Sequence, residues 1–204
     1  MFQSLPCPLM THSTAISLLR DYARPNDKIG NLIDSGQLIR LQRALYLVPS
    51  ANPPKNLIAN QLHRPSYVSK EWALQYYGLM TEQVQQVTSI TIDRAKNIHT
   101  PIGDFTYHPV PKRYYGLGIE SQIDAQHAFL MASKEKALCD LLVSTRNLRI
   151  YSIDSMLDYI DRFLRIDLDE LACFNAQIVE DLFKAQYKVA LLSTLHQSIR
   201  FLQC

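Results

Sequence analysis

The stretch from Tyr67 to Leu79, Tyr-Val-Ser-Lys-Glu-Trp-Ala-Leu-Gln-Tyr-Tyr-Gly-Leu, restricts the fold more than any other. It reads as one short, well-bounded helix. Ser69 stands where an N-cap offers its side-chain oxygen to the free amides of the first turn. Glu71 places a negative charge near the positive end of the helix dipole. Gly78 suits the left-handed position just past the end. Between these limits Trp72, Ala73, Tyr76 and Tyr77 recur at helical spacing, and Leu79 closes the apolar face. The chain's only tryptophan and two tyrosines in one short helix predict a large buried anchor, around which the rest must supply a core. Trp72 is expected inside.

The composition allows such a core, since 47% of the 204 residues are hydrophobic. That length fits one domain with a small appendage, or two modest domains. No apolar run is long enough to span a bilayer, and Met1 to Met10 lacks the pattern of a signal peptide. Cys7, Cys139, Cys173 and Cys204 are scattered without metal-ligand or redox spacing, so a reducing cytoplasm is the expected location. Cys139, in an apolar helix, is expected to act as a small buried hydrophobe. The net charge of +2 is unevenly spread: residues 1–50 carry five basic and three acidic groups, residues 151–204 five basic and eight acidic. A basic front and an acidic back point to different partners at the two ends.

Residues 13–23 read as a helix with Ala15, Leu18, Leu19 and Tyr22 inward, ended by Arg24-Pro25. Pro25 opens a second helix that runs to about Ser35, with Ile29, Leu32 and Ile33 inward and Gly36 at its end. Gln37 to Val48 is rich in strand formers and divides at Gln42-Arg43 into a hairpin. Pro49 to Pro54 reads as a hinge. Residues 55–63 form a helix, then the anchor. Val87 to Ile92 and Asp104 to Val110 are strands, the latter with Phe105 and Tyr107 on one face, and Arg94 to Gly103 is an exposed connection. Ala128 to Met131 is a strand leading into a helix from Ser133, with Ala137, Leu138, Leu141 and Leu142 inward. From Ser152 the chain is helical. Ile153, Met156, Leu157, Ile160 and Leu164 make an apolar stripe, opposite Asp154, Asp158 and Asp161. Asp167-Leu-Asp-Glu170 is a capping-box pattern, and Asn175 caps a final helix carrying Ile178 to Leu202.

Three stretches, in order, carry a family resemblance. Pro65-Ser66-Tyr67-Val68-Ser69 with Ala73-Leu74 and Gly78-Leu79 resembles the central signature of the AbiEi-type antitoxins, a family of abortive-infection transcriptional regulators. Ser35-Gly36-Gln37-Leu38-Ile39-Arg40-Leu41 with Leu45-Tyr46 resembles the end of the family's winged helix. Met131 to Leu142 resembles its Glu-Lys-Ala-Leu-x-Asp helix. Ala44 stands where the family usually has a glycine in the wing turn, and Lys134 where it usually has a proline. The resemblance implies an α+β fold: an N-terminal winged helix-turn-helix over residues 1–50, then an antitoxin domain over 51–204. In that second domain a small, mostly antiparallel sheet lies among helices to about residue 147, and a helical part follows.

It also implies function. The expected protein is an antitoxin that neutralises a partner nucleotidyltransferase-type toxin and represses their operon by binding operator DNA. The alternative is a winged-helix regulator without a toxin partner. In a winged helix the second helix enters the major groove and the wing lies beside the backbone. The candidate DNA contacts are Lys28, Asn31, Arg40 and Arg43, with Arg40 and Arg43 better placed for phosphates than for bases. Asp27 and Asp34 share the outer helix face with Asn31 and would repel phosphate.

No enzyme constellation is evident. Ser133-Lys134-Glu135-Lys136 matches a Ser-x-x-Lys pattern but lacks its companion motifs, and Ser133 reads as a helix N-cap. Gly116-Leu-Gly118 has no phosphate-loop context. The histidines are isolated. His99 and His108 come near each other only if the hairpin register allows it, and no further metal ligands stand beside them. The expectation is a protein that is not an enzyme and has no cofactor, metal or membrane partner.

Overall fold

The structure is a computed structural model that describes residues 8–49, 52–124 and 126–204. Cys7, Ser50 and Ala51 of the features named above lie outside the described residues.

The N-terminal part begins with a strand, β1 (Leu9–Thr11), which the sequence did not announce. Helix α1 (His12–Leu18) follows, capped by Thr11, which accepts from the Thr14 amide, and shorter than expected because it ends at Leu18. Ala15 and Leu19 are buried, whereas Leu18 and Tyr22, expected inside, are exposed. Helix α2 (Pro25–Asp34) keeps its expected bounds. Gly36 ends it at φ +71. The hairpin divides as expected into β2 (Ile39–Gln42) and β3 (Leu45–Leu47). These strands form an antiparallel sheet in the order β1-β3-β2. One face, with Met10, Leu38, Tyr46 and Val48, closes a small core over Ala15, Leu19, Ile29 and Leu32. On the other, Leu9, Leu41 and Leu47 join the main core of the chain. The two parts are therefore cemented by apolar contact, and the Gln42 side chain adds a hydrogen bond to the Leu62 carbonyl (3.0 Å).

The main body holds helix α3 (Lys55–Leu62), strand β4 (Ser66–Val68) and helix α4 (Lys70–Tyr76). Strands β5 (Val87–Thr91), β6 (Lys96–Thr100) and β7 (Gly103–Pro109) follow. Next come α5 (Lys112–Tyr115), β8 (Ile119–Asp124), β9 (His127–Ala132) and α6 (Lys134–Ser144). The six-stranded sheet has the order β6-β7-β5-β4-β9-β8. Its β4/β9 and β5/β7 pairings are parallel and the other three antiparallel, so the sheet is larger and more mixed than the sequence indicated. The strands missed in sequence lack the usual apolar signal. Those at the two edges, β6 and β8, are polar and largely exposed, and β4 is only three residues long. The segment read as an exposed connection contains β6.

Helices α4 and α6 pack on each other and on the central strands, and α6 in turn contacts α9. The C-terminal part comprises α7 (Ile153–Asp158), continued by a π-helical turn (Tyr159–Phe163), then α8 (Leu168–Ala172), α9 (Ala176–Lys184) and α10 (Val189–Leu202). Asp167 and Asn175 cap α8 and α9 as expected. The expected single final helix is broken, with Gln186 and Lys188 at positive φ (58 and 50), so that α10 folds back on α9.

Candidate functional site

Of the four candidate DNA contacts, Asn31 on α2, Arg40 on β2 and Arg43 in the β2–β3 turn are exposed. Lys28 is half-buried, with its Nζ 5.2 Å from the centre of the Tyr22 ring, a cation–π contact that holds the amine near the helix surface. The turn that carries Arg43 has Ala44 at φ +63, the left-handed conformation that a glycine there adopts without strain. The Ala44 carbonyl accepts from the His12 amide (2.9 Å), and His12 Nδ1 lies 3.1 Å from the Tyr46 hydroxyl. These bonds tie the turn to the start of α1. On the acidic face, Asp27 is 3.6 Å from Arg24, an exposed ion pair.

A second constellation escaped the sequence reading. Ser69 is indeed the N-cap residue of α4, but its hydroxyl makes no capping bond. It donates instead to Asp140 Oδ2 on α6, at 2.6 Å, and Tyr67 donates to the same oxygen at 3.0 Å. The other oxygen, Oδ1, is 3.2 Å from Lys136 Nζ, one helical turn earlier. That contact is an ion pair whose angles do not make it a hydrogen bond. Lys136 and Asp140 are both fully buried. The lysine donates to the Tyr114 carbonyl (3.1 Å) and sits over the Tyr114 ring, 3.2 Å from its centre. Burial lowers the Lys136 amine despite the facing carboxylate, and burial beside Asp140 pushes the Tyr67 and Tyr114 phenols well up. Gly118 makes room for this helix: a Cβ there would lie 2.9 Å from that of Lys136.

The anchor is therefore Tyr67, Ala73 and Leu74, all fully buried. Trp72 is only half-buried, a correction to its expected place, and its indole donates to Asn56 Oδ1 at 2.6 Å. Tyr76 is 47% exposed. The inward face of α4 is set by the neighbouring α6, which the spacing within α4 cannot reveal. The one signal for the cluster was the i,i+4 spacing of Lys136 and Asp140 around the apolar Ala137, Leu138 and Cys139.

Beside it, Lys70 opens α4 at φ +61. Its nearly buried Nζ is 3.2 Å from His108 Nε2 and 3.8 Å from Glu71 Oε2. Burial lowers both the amine and the imidazole. The hairpin register sets His99 opposite Asp104, at 2.8 Å, and leaves His108 further along β7, so the two histidines do not meet. Ser133 Oγ accepts from the Lys136 amide, the N-cap role expected of it. Cys139 is fully buried, and burial raises its thiol. Among the described residues no group of three His, Cys, Asp or Glu side chains is arranged to hold a metal, and no helix is long and apolar enough to cross a membrane. No model of a known protein family matches the chain, and no curated protein sequence matches it.

Proposed function

We propose that the chain is an AbiEi-type antitoxin: a binding protein, not an enzyme, that neutralises a nucleotidyltransferase-type toxin and represses their shared operon from the cytoplasm. The observation that carries this reading is the meeting of two of the three resembling stretches. Tyr67 and Ser69 of the first donate to one oxygen of Asp140 in the other, whose Lys136 faces the same carboxylate. Residues separated by about seventy positions that close one buried network are what a shared fold requires. A chance likeness of two short stretches gives no reason for them to touch.

The DNA half of the proposal rests on the N-terminal part. A strand, two helices and a hairpin follow in the order of a winged helix, and we read α2 as the helix for the major groove. Arg40 and Arg43, exposed on the hairpin, are then the phosphate contacts, with Asn31 on the groove side.

The test is growth under induction of the neighbouring gene product, beside a reporter for the chain's own promoter. Arg40→Ala with Arg43→Ala is expected to lose most repression, to lower the salt slope of operator binding by roughly two, and to keep toxin rescue. Repression without rescue by the wild type would leave a winged-helix regulator without a toxin partner. Neither repression nor rescue by folded protein would refute the proposal.

A further inference from the structure

Strand β9 extends beyond the start of β4, and the difference leaves a notch in the sheet. The two strands are paired at Val68 and Met131, and β4 begins only at Ser66. Along a strand, backbone groups two residues apart point the same way. The Ser133 amide bonds the Gly118 carbonyl on the β8 side, so the odd-numbered residues of β9 face β8. The even-numbered ones face β4. Leu130 agrees: its amide donates to Asn60 Oδ1 (2.6 Å) and its carbonyl accepts from Asn60 Nδ2 (3.2 Å). The Asn60 side chain thus imitates one peptide unit of an absent strand. Ala128, the next even-numbered residue, points its amide and carbonyl in the same direction, is exposed, and is paired with no residue of β4.

A cavity of about 360 Å³ lies at this place, walled by Leu57, Tyr115, Phe129 and Leu130, with Ala128 at its edge. Arg64 is the one charged residue in its lining and makes no ion pair among the described residues. The cavity therefore combines an open strand edge, an apolar floor and a free guanidinium. A strand edge is completed by another extended backbone, and a guanidinium pairs best with a carboxylate.

We infer that this notch binds an extended peptide carrying a carboxylate, which adds alongside β9 at Ala128 and places its acid on Arg64. The volume fits two to three residues of such a peptide, with one apolar side chain between Tyr115 and Leu57. This site is separate from the hairpin proposed to hold DNA and does not depend on the antitoxin reading.

The test uses the full-length protein and an array of fluorescein-labelled tetrapeptides. One position is Asp and the others vary over Val, Leu, Tyr and Ser. Each is made with a free and an amidated C-terminus, beside a matched array with Asn for Asp. A subset of acid-bearing peptides is expected to bind more tightly than about 1 mM and to shift the Ala128 and Leu130 amide resonances. Loss of affinity on Asn replacement assigns the acid to the side chain, and loss on amidation assigns it to the terminus. Arg64→Gln, a surface change, should weaken binding roughly tenfold or more, and N-methylation of the peptide amide that pairs with Ala128 should abolish it. Failure of every acidic peptide to move the Ala128 resonance, or binding that is indifferent to both Arg64→Gln and N-methylation, would overturn the inference.

Discussion

Replacing Asp140 with alanine strips three groups of their partner at once: the Lys136 ammonium at 3.2 Å, the Ser69 hydroxyl at 2.6 Å and the Tyr67 hydroxyl at 3.0 Å. The carboxylate and the ammonium are both fully buried, so water cannot replace what is lost without opening the core. Breaking one side of such a pair costs about 3–5 kcal/mol, most of it from the charge left behind. For a protein of this length that lowers the melting temperature by roughly 6–20 °C. Lys136→Met should cost a similar amount, because it leaves the carboxylate alone with two hydroxyls. Lys136→Met combined with Asp140→Ala removes both charges and should cost clearly less than the sum, with a coupling of about 2 kcal/mol. The hydroxyls provide a finer control. Tyr67→Phe removes one donor to the carboxylate and should cost about 1.5–3 kcal/mol. Tyr114→Phe should cost close to nothing, since that hydroxyl is buried without a hydrogen-bond partner and the ring under Lys136 is kept. Urea unfolding followed by circular dichroism and by Trp72 fluorescence measures all of these. If Asp140→Ala costs less than about 1 kcal/mol with an unchanged m-value, or if the two single changes simply add, the argument for a coupled buried pair is wrong.

Three further outcomes follow from backbone geometry and ionisation. Ala44→Gly should stabilise the protein by about 1 kcal/mol, since it relieves a left-handed residue in the β2–β3 turn; an unchanged or lower denaturation midpoint would refute this. Gly118→Ala should cost roughly 1–3 kcal/mol, because the residue has φ +68 and the new Cβ meets Lys136; a neutral result would show that α6 moves away freely. Stability should also fall steeply as pH rises past 10.0, the ordinary value for a phenol. Burial holds Tyr67, Tyr107 and Tyr114 above that value and Tyr115 at about 12, so the unfolded chain releases protons that the folded one keeps. Flat stability from pH 9 to 11 in a thermal melt series would contradict it.

The sequence alone determined the elements that carry their own limits. Gly36 and Gly78 end α2 and α4 at φ +71 and +75 because a left-handed residue must close each helix. Ser133, Asp167 and Asn175 cap their helices through bonds to amides two or three residues away. Strands β5 and β7 were legible because buried β-branched and aromatic residues mark them. The exposure of Asn31, Arg40 and Arg43 followed from the same local patterns.

Only the tertiary structure decided the rest, and for one reason: the deciding partner lies far away in the chain. Ser69 had a local use as a helix cap, yet its hydroxyl donates to the buried carboxylate of Asp140 on α6 and accepts from no amide of α4. Trp72 ranks first in bulk, but the buried side of α4 is the one that carries Ala73 and Leu74, so the tryptophan is left at the margin. The notch beside β9 exists because β4 starts later than β9 does, a difference in register between strands about sixty residues apart. Spacing within a helix or strand fixes which side chains share a face. Which face is buried, and which edge is left open, is fixed by the element that arrives to cover it.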